Sequence, residues 1–350
     1  MARSRTILHL PILLLLVSLP ALAGEGRSPV WESPTVISTP GRYVLIRNLT
    51  GNFVDPVISI TASNVDLDLN GMEITNTLAT TSAITVAAGP GEVTIRNGSI
   101  VGGARGIEVI SPGAPGEVTI EDMRISAMNT GIFLDGVRSF TIRRTSVRDM
   151  TGSCIRIQGG PADKGGVIAQ NECRDSTGGL ALFQVGAVRI QDNEFENIHS
   201  SSAAAIAVFT GTGLVIAGNT IHNTNRGMDL ATTRHSRISG NIISACLNFG
   251  IQIDAGGSDN LIADNLIAGT TAGPGLQVFG DRNEIRGNLL NTSSGFGLFF
   301  NGGAENNHYR DNTARANCQG ACSCAVGTPT DFCDANPLNM NTDGGGNALP

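Results

Sequence analysis

Two aspartates in neighbouring stretches of the chain stand where a carboxylate pair could do acid–base chemistry. Asp229 lies in "GMDL" and Asp254 in "GIQID", and each stretch is a short apolar alternation that begins with a small residue. If these alternations are adjacent strands, the carboxylates are offset by two residues and lie roughly 8 Å apart. That separation suits a pair that flanks a glycosidic bond and admits a water molecule. The alternative is that both are solvated strand residues.

Aromatic, amide and charged residues recur at the same positions of the other alternations. The apolar residues of each alternation, such as Ile251 and Ile253, are expected to point into a core, which turns their neighbours outward. Arg156 holds one outward position and is a candidate partner for substrate charge. The candidate binding residues are Asp135, Gln158, Phe183, Phe209, Gln252, Gln277, Phe279 and Phe299. The phenylalanines could stack on sugar rings, or a loop or partner subunit could cover them.

A second outward column combines a guanidinium, a carboxylate and an imidazole. Arg174, Glu196 and His222 each stand three residues after an asparagine in consecutive stretches. Stacked on one face, they could form an acid–base or metal site, or only a surface charge ladder. No cluster of His, Met and Cys has convincing ligand spacing, so the sequence predicts no metal site.

An internal repeat of about 24 residues must position these side chains. A small residue precedes an apolar residue at intervals of 22 to 26 residues, from Ala83 to Gly297. A second column consists of Asn171, Asn193, Asn219, Asn241, Asn265, Asn288 and Asn312. We expect the small residues to mark a corner of close backbone approach, and the asparagines to occupy another corner in the left-handed conformation. Their amides could also bond from one repeat to the next.

Each repeat holds three short alternations of period two and no helical stripe, which indicates three strands. The sequence therefore predicts an all-β solenoid, a single-stranded right-handed parallel β-helix of about 10–11 coils. It resembles the pectate-lyase-like superfamily of right-handed parallel β-helix repeat proteins. The resemblance rests on the repeated "GIxI" and "IxxNxI" coils and on the opening "ISTPGRYVLI…VISITASNVDLDLNGMEI" over residues 37–74.

The resemblance implies a scaffold whose substrate lies along the face formed by the first strand of each coil. This scaffold hosts lyases, hydrolases, epimerases and proteins without activity, so it does not determine the reaction. The motifs of polygalacturonases, pectate lyases and mannuronan epimerases are missing from this sequence. A lyase would need a base such as Arg156 or the single lysine, Lys164, and the cofactor that it would favour is Ca²⁺.

Charge and composition limit the class of partner and the compartment. The formal charge of −7 argues against a nucleic-acid binder, which would need a basic face, so no nucleic-acid partner is expected. Residues 1–23 have a basic start, an apolar core and an "ALA" end, which predicts a cleaved signal peptide. No later segment is apolar enough to predict a membrane span. We expect a protein that is secreted, periplasmic or at the cell surface, and the sequence leaves its oligomeric state open.

The seven cysteines predict disulfides, because an exported chain meets an oxidising compartment. Cys154 and Cys173 fall in one repeat and are candidates to pair, which leaves Cys246 as a buried free thiol. The tail carries Cys318, Cys322, Cys324 and Cys333, which could form two disulfides or bind Zn²⁺. The compartment favours the disulfides.

The chain is expected to divide into a signal peptide (1–23), an N-terminal cap region (24–56), the parallel β-helix (57–316) and a Cys-rich tail (317–350). Three functions remain open. The first is an enzyme that cleaves polysaccharide with Asp229 and Asp254 as acid and base. The second is a non-catalytic polysaccharide-binding module on the same face, and the third is a structural or cell-surface β-helix. The missing family motifs favour the second and third.

Overall fold

The structure, a computed structural model, describes residues 26–52, 54–87, 89, 91–110, 116–159, 165–318, 332–335 and 341–348. The predicted signal peptide lies outside these residues, as do Lys164, Cys322 and Cys324. In the described ranges no helix has the length and apolar character needed to cross a membrane.

Short strands account for most of the described chain. In chain order they are β1 (Arg27–Val30), β2 (Thr35–Ile37), β3 (Gly41–Leu45), β4 (Leu49–Gly51), β5 (Ile58–Ile60), β6 (Val65–Asp68), β7 (Glu73–Asn76), β8 (Ser82–Val86), β9 (Glu92–Val101), β10 (Arg105–Ile110), β11 (Glu117–Met128), β12 (Thr130–Asp135), β13 (Phe140–Arg143), β14 (Ser146–Met150), β15 (Ser153–Gln158), β16 (Gly166–Ala169), β17 (Glu172–Ser176), β18 (Gly178–Phe183), β19 (Val185–Gly186), β20 (Val188–Gln191), β21 (Glu194–Ile198), β22 (Ala204–Thr212), β23 (Val215–Ala217), β24 (Thr220–Thr224), β25 (Arg226–Arg234), β26 (Arg237–Ser239), β27 (Ile242–Ser244), β28 (Ile251–Ile253), β29 (Leu261–Ala263), β30 (Leu266–Ala268), β31 (Leu276–Val278), β32 (Glu284–Arg286), β33 (Leu289–Asn291), β34 (Leu298–Phe300), β35 (His308–Arg310), β36 (Thr313–Arg315), β37 (Phe332–Asp334) and β38 (Thr342–Asp343).

The strands form three faces of a solenoid, and each strand pairs in parallel with its counterpart in the next turn. The first face contains β2, β5, β8, β10, β12, β15, β18, β22, β25, β28, β31, β34 and β37. The second face contains β1, β3, β6, β13, β16, β20, β23, β26, β29, β32, β35 and β38, and the third contains β4, β7, β14, β17, β21, β24, β27, β30, β33 and β36. The long strands β9 and β11 bend and take part in the second and third faces. This arrangement confirms the predicted all-β parallel β-helix.

The core is a continuous stack of aliphatic side chains inside the three faces. Ile84, Ile107 and Ile132 lie opposite one another in successive turns, and all three are fully buried. Burying an aliphatic side chain of this size contributes about 1.5–3 kcal/mol. The alternation seen in the sequence follows from this requirement, because only every second residue of a strand points inward.

The small-residue column lies at the corner that leads into the first face. A Cβ atom added to Gly131 would lie 2.6 Å from the backbone oxygen of Cys154 in the next turn. Real Cβ atoms essentially never come this close to a backbone atom, so the turns could stack only if the backbone shifted. The predicted corner of close backbone approach is therefore confirmed.

The asparagine column forms a buried hydrogen-bond ladder between the second and third faces. Asn219 donates both its backbone N–H and its Nδ2 to Oδ1 of Asn241, at 3.0 and 2.9 Å. Its Nδ2 also lies 2.9 Å from the backbone oxygen of Ile190 in the preceding turn. The same pattern runs to the C-terminal end, where Asn312 donates to Asn347. The predicted ladder is thus confirmed.

The expectation that these asparagines are left-handed is wrong. The left-handed residue is the one before each of them, namely Gln170, Asp192, Gly218, Gly240, Asp264, Gly287 and Asp311. Because this preceding residue makes the bend, the asparagine can direct its amide toward the buried backbone of the neighbouring turns.

A second asparagine ladder, which the sequence analysis missed, lies between the first and second faces. Asn260, Asn283, Asn307 and Asn341 are buried, and each donates its Nδ2 to Oδ1 of the next at 3.0 Å. The signal was available, because the first three members stand 23 and 24 residues apart.

The cysteines inside the solenoid behave as expected. Cys154 and Cys173 form a disulfide within one turn, and Cys246 is a buried free thiol. In the tail, Cys318 and Cys333 are both disulfide-bonded, and the other two tail cysteines lie outside the described residues.

Strands from both terminal segments extend the sheets. In the segment predicted as the N-terminal cap, β2, β3 and β4 pair with β5, β6 and β7 of the following turn. In the tail, β37 pairs with β34 and β38 pairs with β35.

Candidate functional site

The register of the first face aligns the outward side chains of successive turns into two columns. One column runs through Glu108, Phe133, Arg156, Ala181, Ala207, Asp229, Gln252, Gln277 and Phe299. The other column includes Ile110, Asp135, Gln158 and Phe183 in adjacent turns. Side chains that are far apart in sequence therefore meet as neighbours along the axis.

Arginines and phenylalanines alternate along the N-terminal half of this face. The guanidinium carbon of Arg105 lies 4.1 Å from the centre of the Phe133 ring, and that of Arg156 lies 4.8 Å from the Phe183 ring. Phe183 stacks on Phe209 with ring centres 4.2 Å apart. Burial and the nearby charge of Arg156 lower the pKa of Arg105, while the Asp135 charge acts in the opposite direction. The result is a strip that offers both cations and aromatic surface.

A shallow pocket of about 290 Å³ opens at the end of this strip. Arg156, Gln158, Phe183 and Phe209 line it, so the fold brings four of the predicted site residues together. Phe209 is 48% exposed, which is unusual for so large an apolar side chain.

The small residues around Phe209 leave room for a ligand. The register of β22 and β25 places Ala231 opposite Phe209 in the next turn. The methyl group of Ala231 is too small to fill the space beside the face of the Phe209 ring that Phe183 leaves uncovered. Asp229 precedes Ala231 by two residues in β25, so a carboxylate borders the same space.

An acidic cluster lies on the far side of this space. Arg226 donates to Asp229 Oδ2 at 3.1 Å, and Gln252 donates to Asp254 Oδ1 at 2.5 Å. The register pairs Asp229 with Gln252, so Asp254 lies one turn away and two residues further on, as predicted. The guanidinium of Arg226 also lies 5.5 Å from the Phe249 ring.

The environment of Asp229 keeps its carboxyl more basic than usual. Burial raises the pKa of Asp229, and the negative charge of Asp254 raises it further. The hydrogen bond and charge of Arg226 lower the pKa, but they do not cancel the other two effects. A carboxyl with a raised pKa keeps its proton to higher pH, which suits the acid of an acid–base pair.

Sequence reasoning missed two arginines of this face, although the signal was present. "RGIE" and "RGMD" occupy the same place in their repeats. In each of them the arginine forms an ion pair with the acid three residues later, Arg105 with Glu108 and Arg226 with Asp229. Glu108 is buried and also accepts a hydrogen bond from Ser82.

The remaining predicted site residues lie away from this centre. Asp135 lies opposite Gln158 on the N-terminal side, and Gln277 lies opposite Gln252 on the C-terminal side. Phe279 is half-buried, and Phe299 stacks on Phe296 with ring centres 5.4 Å apart. These residues extend the first face but belong neither to the strip of arginines and phenylalanines nor to the acidic cluster.

The trio on the third face is adjacent in space, because the register pairs Arg174 with Glu196 and Glu196 with His222. Arg174 forms ion pairs with Glu172 and Glu196, and Nδ1 of His222 lies 2.9 Å from the Ser244 hydroxyl. Among the described residues, no group of three or more His, Cys, Asp or Glu could hold a metal ion. The arrangement is that of a charge ladder.

A family model described as a right handed beta helix region matches residues 105–202 and 196–332. These matches extend over more than half of the chain, in agreement with its three parallel faces. The chain belongs to the right-handed β-helix family. A search of curated proteins finds no match.

Solved structures with the same fold include several proteins named for activities on polysaccharides. The A-module of the Azotobacter vinelandii mannuronan C-5 epimerase AlgE6 has a TM-score of 0.59 at 12% identity, over 94% of this chain and 91% of that one. The periplasmic alginate epimerase AlgG gives 0.55 at 10% identity, over 90% and 78%. A GH87 alpha-1,3-glucanase from Streptomyces thermodiastaticus gives 0.51 at 16% identity, over 90% and 63%. At these identities the likeness of this β-helix protein to them is one of fold.

Proposed function

We propose that this β-helix protein binds a polysaccharide along its first face. The observation that carries the proposal is the stack of half-buried Phe183 on exposed Phe209, beside Arg156 and lining a shallow pocket. Aromatic rings with an open apolar face and a polar rim are the surfaces on which sugar rings stack. The solved structures of similar fold include an alginate epimerase, a mannuronan C-5 epimerase and a glucanase, which supports a polysaccharide as the partner.

In this proposal the sugar ring lies against Phe209, in the space that Ala231 leaves open. Gln158 offers both a donor and acceptors to hydroxyl groups. Arg156 pairs with an acidic substituent, since a guanidinium matches a carboxylate in shape and charge. We also propose that the chain is exported, as the N-terminal signal predicts, because extracellular and periplasmic compartments are where such polymers occur.

The test is affinity electrophoresis of the mature chain in gels that contain a panel of acidic and neutral polysaccharides. We expect retardation by at least one polymer, and Phe209→Ala should weaken it about tenfold, which corresponds to ~1.4 kcal/mol. Ile242→Ala is the matched control, because Ile242 is also 48% exposed but lies on the third face. Equal effects of the two substitutions would contradict the proposal. No retardation by any polymer would favour a structural role.

A second candidate is acid–base chemistry on the bound polymer, favoured by the raised pKa of Asp229 beside Asp254. The protonated Asp229 would act as the acid, and Asp254 as the base that activates water. Arg156 would hold the substrate charge. Hydrolysis produces new reducing ends without unsaturated products, whereas a lyase produces unsaturated ends.

Product assays on the same panel, with and without Ca²⁺, test this candidate. If hydrolysis occurs, Asp229→Asn and Asp254→Asn should each reduce it by about 10²-fold or more. Asp259→Asn is the control, because Asp259 forms an exposed ion pair with Arg282 outside the first-face columns. If Asp229→Asn and Asp254→Asn both still produce new reducing ends, these two carboxyls are not the acid and base.

A further inference from the structure

A second cleft, of about 490 Å³, lies on the third face and belongs to neither cluster of the first face. It spans the turns of β7, β9, β11, β14 and β17. Its lining is polar and includes three arginines, Arg124, Arg148 and Arg174, together with the serines Ser99 and Ser126.

The register places two of these arginines diagonally across one pair of turns. Arg124 lies opposite Ser146, and Ser126 lies opposite Arg148. With a turn spacing of about 4.8 Å and two residues of offset, the Cα atoms of Arg124 and Arg148 are roughly 8 Å apart. Both side chains point to the same side of the sheet, so their guanidinium groups can converge on one small ligand with Ser126 between them.

The three arginines differ in how far their charge is neutralised. Arg174 is paired with Glu172, which also accepts a hydrogen bond from Ser146. Arg148 has only a distant contact, 3.9 Å, with the exposed carboxylate of Asp149. Arg124 has no ion pair or hydrogen bond with the rest of the described chain. The lining also holds a second carboxylate, Glu73, which accepts a hydrogen bond from Thr75, so the three guanidinium groups leave an excess of positive charge around Arg124 and Arg148.

Donors without acceptors surround this charge. Within the described residues, no side-chain hydrogen bond of Ser99 or Ser126 is found. Nε of Arg174 is buried and has no hydrogen-bond partner. Arginines on adjacent turns repel each other, as like charges on neighbouring strands do. A bound anion would relieve this repulsion and accept the free donors.

We propose that the third-face cleft is a binding site for an oxyanion, a carboxylate or sulfate group held between Arg124 and Arg148 with the hydroxyl of Ser126. The group could be a free ion or a substituent of an acidic sugar. The site is independent of polysaccharide binding on the first face, because the two lie on different sheets of the solenoid.

Calorimetric titration of the mature chain tests the proposal, with sodium sulfate and sodium glucuronate as probes at constant ionic strength. At least one probe should bind. Arg124→Gln and Arg148→Gln should each weaken that binding about tenfold or more. Arg315→Gln should leave it unchanged, because Arg315 is exposed in the column of Arg148 but seven turns further along.

The pattern of probes identifies the source of the oxyanion. Binding of sulfate alone indicates a free ion, binding of glucuronate alone indicates an acidic sugar, and both indicate recognition of the group itself. No binding of either probe, or binding that survives both cleft substitutions, would overturn the proposal. Phe209→Ala should not change the affinity for sulfate or glucuronate. Failure of the first-face proposal would therefore appear in the polysaccharide gels and not in this titration.

Discussion

At the scale of single residues, the chemistry open to the first face depends on the charges and the burial that set the pKa of one carboxyl. Asp229 is half-buried between a cation, Arg226, and a second carboxylate, Asp254. Burial and the Asp254 charge favour its protonated form, while Arg226 favours its ionised form. Arg226 thus moderates the pKa of Asp229 and also holds the carboxyl in place.

Replacing Arg226 by Gln should raise the pKa of Asp229 further, because the opposing charge is removed while burial and Asp254 remain. A carbon-13 NMR titration of the aspartate carboxyls measures this. Arg282→Gln is the comparison, since the Arg282 hydrogen bond holds the pKa of exposed Asp259 at about 2 and its loss should also produce a rise. An unchanged or lower pKa for Asp229 in Arg226→Gln would show that the ion pair does not control this group.

At the scale of elements, the asparagine ladders hold neighbouring turns in register. The side chain of each ladder asparagine bonds backbone groups of the preceding turn, as Asn219 does with the Asn193 N–H and the Ile190 carbonyl, and buried polar groups left without partners are costly. This explains why the sequence keeps asparagine where an aliphatic residue would fit the core better. The residue before it must adopt the left-handed conformation, which is why glycine or aspartate stands there in every turn of the column but one, where it is Gln170.

Asn241→Ala should destabilise the fold by about 3 kcal/mol or more, because several buried groups lose their partner at once. Those groups include the backbone N–H of Asn219 and the carbonyl oxygen of Ile216, both of which bond the Asn241 side chain. Denaturant unfolding followed by circular dichroism gives the change.

Asn48→Ala serves as the control for this measurement. Asn48 is exposed and accepts a single hydrogen bond, from the backbone of Glu73, so its loss should cost under about 1 kcal/mol. Similar losses for the two variants would mean that the ladder adds nothing beyond ordinary hydrogen bonds.

At the scale of the whole molecule, the sequence was sufficient for the fold because each turn repeats the same steric and hydrogen-bond requirements. Position 131 must hold a small residue and position 219 must hold an amide side chain, whichever residues the surface carries. The two columns are therefore visible in a single sequence. The outward columns followed from the same register. The pairing of Cys154 with Cys173 was also predictable, because both fall in one repeat.

The site was less predictable, because surface side chains follow no repeat. Phe183 and Phe209 were among the predicted residues, but Arg105, which lies over the Phe133 ring, was not, since cation–ring contacts depend on how each corner bends. The third-face cleft depends on the bends inside β9 and β11, where Asn97 and Asp122 are left-handed. A strand alternation alone does not reveal such bends.

The buried free thiol of Cys246 makes the unfolding free energy of the solenoid depend on pH. Burial raises its pKa to about 11 from 9.0, so the folded protein favours the neutral thiol. As pH rises above 9, ionisation of the thiol in the unfolded chain favours unfolding. The unfolding free energy should then fall by about 1.4 kcal/mol per pH unit until the folded thiol also ionises.

Denaturant unfolding of the wild type and of Cys246→Ala between pH 8 and 10 checks this. The stability difference between the two should narrow above pH 9, since the alanine variant lacks the thiol. A difference that is constant across this range would contradict the buried, neutral thiol.

Hydroxyl-radical footprinting of the mature chain, with and without a polysaccharide that retards it, tests the central proposal most directly. We expect Phe183 and Phe209 on the first face to become protected, while Ile242 and Leu247, which are exposed on another part of the surface, react as before. Protection of Ile242 and Leu247 with unchanged labelling of the two phenylalanines would contradict a binding site on the first face.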